Sequence, residues 1–334
     1  MKTSFFSALA LAAAIAPASA ITVTSPANGA QVTSPFNVVA STNACSSRSV
    51  SAMGYSIDNG ATTIVHQKSF SAMALASEGS HTLHVKCWGP NGVHDHEAVQ
   101  VTVVSSSTNP PPPNITAVSD IQSLPTWVWD HDPGTPGNSS GASDLAQVPS
   151  LSGNARQFSV NFENSGGEIY HTTFGKDVNA THFIYDAQLW LTDASNLGNI
   201  EMDMNQVIAN GATVIYGVQC DGYSGTWDVT MNLGTAQHPA VHWKHTNVAC
   251  PKPSTWEENV WHHIQIAYSR DENGVVTYET VSLDGQQQDF VGMVGSSAFQ
   301  LGWGPTLLTN FQLDGRGGSG SITAYLDQVT VSRW

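Results

Sequence analysis

The chain has 334 residues, with 11 Lys and Arg against 26 Asp and Glu and a formal charge of -15. Such a balance repels nucleic acid and anionic membranes, because phosphate binding needs clustered cations, and it favours neutral partners. Charged residues make up only 11%, while 29 Gly, 16 Pro and 10 Trp describe turn-rich β structure rather than helices, at a length that exceeds what one core usually organises.

Residues 1–20 read as a signal peptide. Lys2 precedes an apolar run from Phe5 to Ile15, and Pro17-Ala18-Ser19-Ala20 carries small residues at the two positions a signal peptidase reads. The expected product is exported, extracellular or periplasmic, with no membrane span. Residues 21–104 follow as short β-runs at 36–40, 50–57, 62–70, 81–88 and 98–104, separated by Asn-Gly, Glu-Gly and Pro-Asn-Gly turns, the spacing of a small sandwich. Its opening, Thr24-Ser25-Pro26-Ala27-Asn28-Gly29-Ala30-Gln31-Val32, and Gly79-Ser80-His81-Thr82-Leu83-His84-Val85 resemble bacterial Ig-like modules. Unlike antibody domains, it has no Trp between its two cysteines. His94-Asp95-His96-Glu97 offers metal-capable side chains but reads as a solvated hairpin loop.

Residues 105–114, with four consecutive prolines, lack apolar periodicity and are expected to form an extended spacer. Residues 115–334 contain alternating segments at 182–191, 200–207, 213–220, 227–232, 262–269, 275–283 and 322–331, with no long helix. Asp271-Glu272-Asn273-Gly274 and Asp284-Gly285 are turn signals between strands. A second, larger sandwich of roughly a dozen strands accounts for this length. The four cysteines are expected to pair as Cys45 with Cys87 and Cys220 with Cys250, the one pairing of three that keeps each bridge inside a module.

Trp261-His262-His263-Ile264-Gln265-Ile266-Ala267-Tyr268, then Val281-Ser282-Leu283-Asp284-Gly285, then Ala324-Tyr325-Leu326-Asp327-Gln328-Val329-Thr330-Val331 together resemble the concanavalin A-like lectin/glucanase superfamily. The resemblance implies an all-β jelly roll with a concave, glycan-facing sheet, and no single reaction. It also implies that a structural calcium is possible, with Asp130, Asp132, Asp144 and Asp327 as donors; no cofactor is required.

In Ile200-Glu201-Met202-Asp203-Met204-Asn205-Gln206-Val207, alternation sets Glu201, Asp203 and Asn205 on one face against Met202 and Met204 on the other. The segment is similar to the catalytic strand of laminarinase- and cellobiohydrolase-like glucanases, which implies Glu201 as nucleophile and Asp203 as its support. Asn205 and Gln206 stand where the second glutamate belongs, and an amide delivers no proton. Either another strand supplies the acid, with Glu168, Asp186, Asp221 or Glu279 as candidates, or these side chains grip sugar hydroxyls or neighbouring strands.

Sugar rings stack their C–H faces on aromatic side chains, which makes Trp190, Tyr223, Trp227, Trp243 and Trp303 platform candidates, although Trp is also a normal core residue. The Asp221–Asp228 loop beside Cys220 suits a groove rim. Of His262 and His263, alternation lets only one reach the groove, and His263 beside Gln265 is the candidate. The preferred reading is a secreted, monomeric protein that binds a neutral polysaccharide or oligosaccharide on the concave face. The alternative is an endo-acting glycoside hydrolase using Glu201. A polysaccharide lyase built on Gln265, His263 and Tyr268 ranks third, beside a structural adhesin without a glycan site.

Overall fold

The computed structural model describes residues 21–77, 79–104 and 115–334; the expected signal peptide and proline spacer lie outside the described residues. The chain is almost entirely β. Its first strands are β1 (Ile21–Ser25), β2 (Ala30–Val32), β3 (Phe36–Thr42), β4 (Ala52–Ile57), β5 (Thr63–Val65), β6 (Ser69–Ala74), β7 (Gly79–Trp88) and β8 (His94–Val103). They form sheets of order β1-β3-β6 and β2-β8-β7-β4-β5 around one buried cluster that includes Phe36, Val38, Phe70, Leu83 and Val85. Cys45 and Cys87 form a disulfide inside this cluster.

The single run expected over 62–70 is two strands, because the chain changes sheets there: β5 pairs with β4 and β6 with β3. His94-Asp95-His96-Glu97 opens strand β8 rather than a loop, and His96 Nε2 lies 2.8 Å from His84 Nδ1.

The larger sandwich is built from β9 (Thr116–Val118), β10 (Val128–His131), β11 (Asn138–Ala146), β12 (Ala155–Glu163), β13 (Gly167–Gly175), β14 (His182–Leu191), β15 (Leu197–Val207), β16 (Thr213–Asp221), β17 (Thr226–Asn232), β18 (Val241–Ala249), β19 (Trp261–Arg270), β20 (Val275–Leu283), β21 (Gln286–Asp289), β22 (Val294–Ser296), β23 (Ala298–Phe299), β24 (Leu307–Gly315) and β25 (Ser319–Arg333). One sheet runs β10-β13-β24-β15-β16-β17-β18, the other β11-β12-β25-β14-β19-β20-β21, with β23 joining the first and β9 and β22 the second.

Period-two patterning explains how the sheets face. Ile200, Met202 and Met204 of β15 and Phe183, Tyr185 and Leu189 of β14 share one buried cluster, which leaves Glu201, Asp203 and Asn205 on the outer face of the first sheet and Asp186, Gln188 and Trp190 on the outer face of the second. The second disulfide, Cys220–Cys250, ties the end of β16 to the segment after β18.

The smaller sandwich is docked on the outer face of the second sheet. Gln265 Oε1 accepts the Met73 backbone N–H at 2.9 Å, Gln188 Nε2 donates to the Ile64 carbonyl at 2.6 Å, and Ser282 Oγ donates to the Ser71 carbonyl at 3.2 Å. At the two-residue turn between β20 and β21, Asp284 and Gly285 both have positive φ, and a Cβ on Gly285 would stand 2.5 Å from Phe70 Cβ. Glycine therefore serves both the turn and the close approach. Among the described residues no helix is long and apolar enough to cross a membrane.

Candidate functional site: a carboxyl-lined cleft

The outer face of the first sheet carries a cleft of about 710 Å³ over β24, β15 and β16. Glu201 stands directly opposite Gln312 on β24 and Gln219 on β16, while Asp203 stands opposite Asn310 and Gly217. All six positions except Gly217 line the cleft. Gly217 leaves room for the Asp203 carboxyl, since a Cβ there would collide with Thr230 Oγ1 and stand 2.9 Å from Asp203 Oδ1.

Gln312 organises the neighbouring carboxyls: its Nε2 donates to Asp132 Oδ2 at 3.0 Å and to Asp314 Oδ1 at 3.1 Å. Asp132 follows β10, and Asp314 lies near the end of β24, opposite Asn199. Four acidic side chains thus converge on one wall.

Their titration follows from this crowding. Burial, then the charge of Asp203 and its hydrogen bond, with Asp314 and Asp132 nearby, push the Glu201 carboxyl well above its ordinary value. Burial raises Asp203 to about 7, against hydrogen bonds from Glu201, the Val218 N–H and Asn310 that favour its charged form. Asp314 is also pushed to about 7, by burial and then by the charge of Asp132. The physical picture is a protonated Glu201 held by Asp203, beside a carboxyl that titrates near neutrality.

Of the sequence candidates, Glu201, Asp203, Tyr223 and Trp243 come together at this cleft. Asn205 shares the strand face but is buried beyond the cleft lining, with no hydrogen bond to its Oδ1 among the described residues. Gln206 faces the interior. Its amide donates to the Asp177 and Ala180 carbonyls, and its Oε1 accepts from the Tyr216 hydroxyl and Arg270 Nε, a network that locks strand ends and leaves nothing for a sugar.

Trp227 is a core residue, fully buried with Val229 and Met231, and is no platform. Trp190, His263 and Gln265 lie on the outer face of the second sheet. There His263 Nε2 is 3.0 Å from Asp186 Oδ1, Gln265 Nε2 donates to Asp186 Oδ2 at 2.8 Å, and the smaller sandwich covers Gln265. Trp303 is exposed on the loop before β24, outside the cleft lining.

None of the proposed acid donors lines the cleft. Asp186 faces the smaller sandwich, Glu168 is buried and accepts the Ser139 hydroxyl, Glu279 is on β20 of the second sheet, and Asp221 caps its own loop.

The calcium donors do not share a site. Asp130 is 3.6 Å from His171, Asp132 is in the cleft, and Asp144 is on the edge strand β11. Both Asp327 oxygens accept N–H and O–H donors, from Ser150, Leu151, Ser152, Gln122 and Gln328. Such a cradle replaces a cation and does not fit one.

Sequence reasoning missed Gln312 and Asp314 as site residues, although Phe311-Gln312-Leu313-Asp314 repeats the apolar-polar alternation of the Glu201 strand. It also missed Asp228 and His245, whose ligating atoms lie with that of Asp221 within 4.8 Å of one another.

No family model matches the sequence, and no curated protein matches it. Among solved structures, the chain is similar to a carbohydrate-binding module of the β-sandwich superfamily described for promiscuous specificity, at 10% identity over 92% of this chain and 96% of that one, TM-score 0.34. It is similar to the Bacillus licheniformis β-glucanase at 14% identity over 65% and 97%, TM-score 0.33. A family 11 carbohydrate-binding module from Clostridium thermocellum, solved with a β-1,3-1,4-mixed-linked tetrasaccharide, aligns at 12% identity over 65% and 94%, TM-score 0.31.

Proposed function

We propose that the protein is an exported glycoside hydrolase acting on a neutral polysaccharide or oligosaccharide held in the cleft. The observation that carries this reading is the placement of Glu201, buried among Asp203, Asp132 and Asp314 carboxyls that hold its pKa well above the ordinary value, diagonally across from Asp314. Asp314 is two residues along β24 from the position opposite Glu201, a diagonal relation with Cβ atoms roughly 7 Å apart. Carboxyl groups about 5–5.5 Å apart flank the glycosidic bond in retaining hydrolysis and about 6.5–9.5 Å apart in inverting hydrolysis, and a diagonal pair lies in this general range.

Glu201 carries the proton for the leaving oxygen, Asp203 orients it, and Asp314, once ionised, is the facing base or nucleophile. This moves Glu201 from the nucleophile role implied by resemblance to the acid role. A pure binder of neutral sugars obtains its hydrogen bonds from Asn and Gln without the desolvation cost of clustered carboxyls. Trp243 and Tyr223 supply apolar faces for sugar rings at the cleft wall and rim.

The second reading is binding without cleavage, favoured by Asn205 at the third motif position. The lyase reading loses its residues, because His263 and Gln265 lie on the other sheet and Tyr268 is in the core. Reducing-end release from neutral β-glucans and mannans, abolished by Glu201→Gln and by Asp314→Asn with the fold retained, supports hydrolysis. Retention on immobilised glycan with no product from wild type establishes the binding reading instead.

A further inference from the structure

Five polar side chains occupy directly opposed positions on five adjacent strands: Gln312 on β24, Glu201 on β15, Gln219 on β16, Asp228 on β17 and His245 on β18. At about 4.8 Å per strand, the row extends about 19 Å across the sheet. It continues well past the carboxyl cluster, on the same face as Trp243 and Val241, which line the cleft.

The far end is a prearranged pair. Asp228 is wholly buried, and its Oδ2 is 2.7 Å from His245 Nδ1 and accepts Gln219 Nε2 at 3.4 Å, while its Oδ1 accepts Thr226 Oγ1 at 2.7 Å. A carboxylate only accepts, so it holds the Nδ1–H and leaves Nε2 turned outward, available to bond a sugar hydroxyl. The His245 side chain is 65% exposed, and its Nε2 has no hydrogen bond among the described residues. Three strand steps, or about 14 Å, separate it from Glu201. That is too far to act on the same glycosidic oxygen but suits a hydroxyl on a sugar bound further along the chain.

We propose that His245, positioned by Asp228, is a sugar contact just beyond the cleft lining, next to Trp243, and makes the protein selective for longer glycan chains. This rests on the glycan reading of the cleft, whether or not the glycan is cleaved. Trp243, two residues before His245 on the same face, provides the neighbouring stacking surface. Asp221, with its Oδ2 3.8 Å from His245 Nδ1, accepts the Tyr223 and Ser224 backbone N–H groups and so ties the aromatic rim to the pair.

The test uses ladders of two to six units of β-1,4-gluco-, β-1,3-gluco- and β-1,4-manno-oligosaccharides, read by calorimetry and, where products form, by kcat/KM. For wild type, His245→Ala, His245→Gln and Asp228→Asn, folding is checked by circular dichroism. The expected result is that His245→Ala weakens the hexasaccharide about tenfold more than the disaccharide, that His245→Gln recovers part of the loss, and that Asp228→Asn behaves like His245→Ala. An equal loss at every length, or none, overturns the proposal, as does the absence of length-dependent binding to any ladder by wild type. Affinity that requires added zinc and disappears with chelator also overturns it, in favour of a metal seat at Asp221, Asp228 and His245. Length-selective binding without product leaves the proposal standing and removes only the hydrolytic reading.

Discussion

Glu201 and Gln312 face each other across neighbouring strands, and the Gln312 amide holds the Asp132 and Asp314 carboxyls on the same wall. The arrangement gathers negative charge around a buried glutamic acid and keeps its proton in place. Removing the acid while preserving shape is the most direct probe. Glu201→Gln is expected to lower kcat on neutral β-glucan or mannan by about 10²–10⁴-fold, the usual worth of a general acid, with glycan affinity retained. Asp314→Asn is expected to have an effect of similar size, and reducing-sugar assays check both.

The same cluster sets a pH dependence. In a folded chain with Asp203 and Asp314 raised from 3.8 to about 7, the native state holds protons that the unfolded chain releases. Their stability contribution is fully present below about pH 4 and is lost as pH rises through about 7. Three units on a buried carboxyl correspond to roughly 4 kcal/mol before relaxation. Calorimetric melting temperatures are therefore expected to fall between pH 5 and 8, and Asp203→Asn with Asp314→Asn is expected to flatten that slope. Catalysis is expected to show a bell-shaped profile, its acidic limb set by ionisation of Asp314 near 7 and its alkaline limb by loss of the Glu201 proton.

How much of this was legible in the chain follows from what alternation encodes. It gives the parity of a strand, so Glu201, Asp203 and Asn205 could be placed opposite Met202 and Met204, and Trp227 shares parity with the apolar Val229 and Met231 that accompany it in the core. Parity does not say which sheet a strand joins. Trp190 does share the polar face of Asp186 and Gln188, but that face belongs to the second sheet and meets another module. Strand β11, Asn138–Ala146, lies at a sheet edge and is half exposed along its length, so it has no apolar stripe to betray it. The convergence of Asp132, Asp314 and Glu201 depends on pairings between segments far apart in sequence, which no local pattern records.

Docking of the smaller sandwich centres on Asp186, which takes Gln265 Nε2 on one oxygen and lies 3.0 Å from His263 Nε2 with the other. The Asp186 carboxylate raises the His263 pKa against the opposing effect of complete burial, with Asp284 adding to it. The stability this pair contributes is present below about 6.5 and is lost as pH rises through the higher folded value. Gln265→Ala removes the link from Asp186 to Met73 and leaves buried polar groups without partners, at a cost of about 1–3 kcal/mol. Urea unfolding is expected to shift to lower midpoint and limited proteolysis to cut between the modules, both more strongly at pH 9 than at pH 6.

Asp327 shows the opposite sign. Hydrogen bonds from Ser152 and Ser150 and from the Ser152 and Leu151 N–H groups outweigh burial and lower its pKa below the usual carboxylate value. Its contribution is present above about pH 4 and is lost as pH falls through the folded value. Because six donors close on these two oxygens, Asp327→Ala orphans several buried N–H and O–H groups at once and is expected to cost about 3–5 kcal/mol. Asp327→Asn keeps one acceptor but turns an NH₂ toward donors, so it is expected to fall between the two. If protein donors rather than a cation satisfy this carboxylate, millimolar calcium leaves the wild-type melting temperature unchanged and does not restore Asp327→Ala. A calcium-dependent rise in wild type, absent from the variant, would show instead that the cradle opens to take the ion.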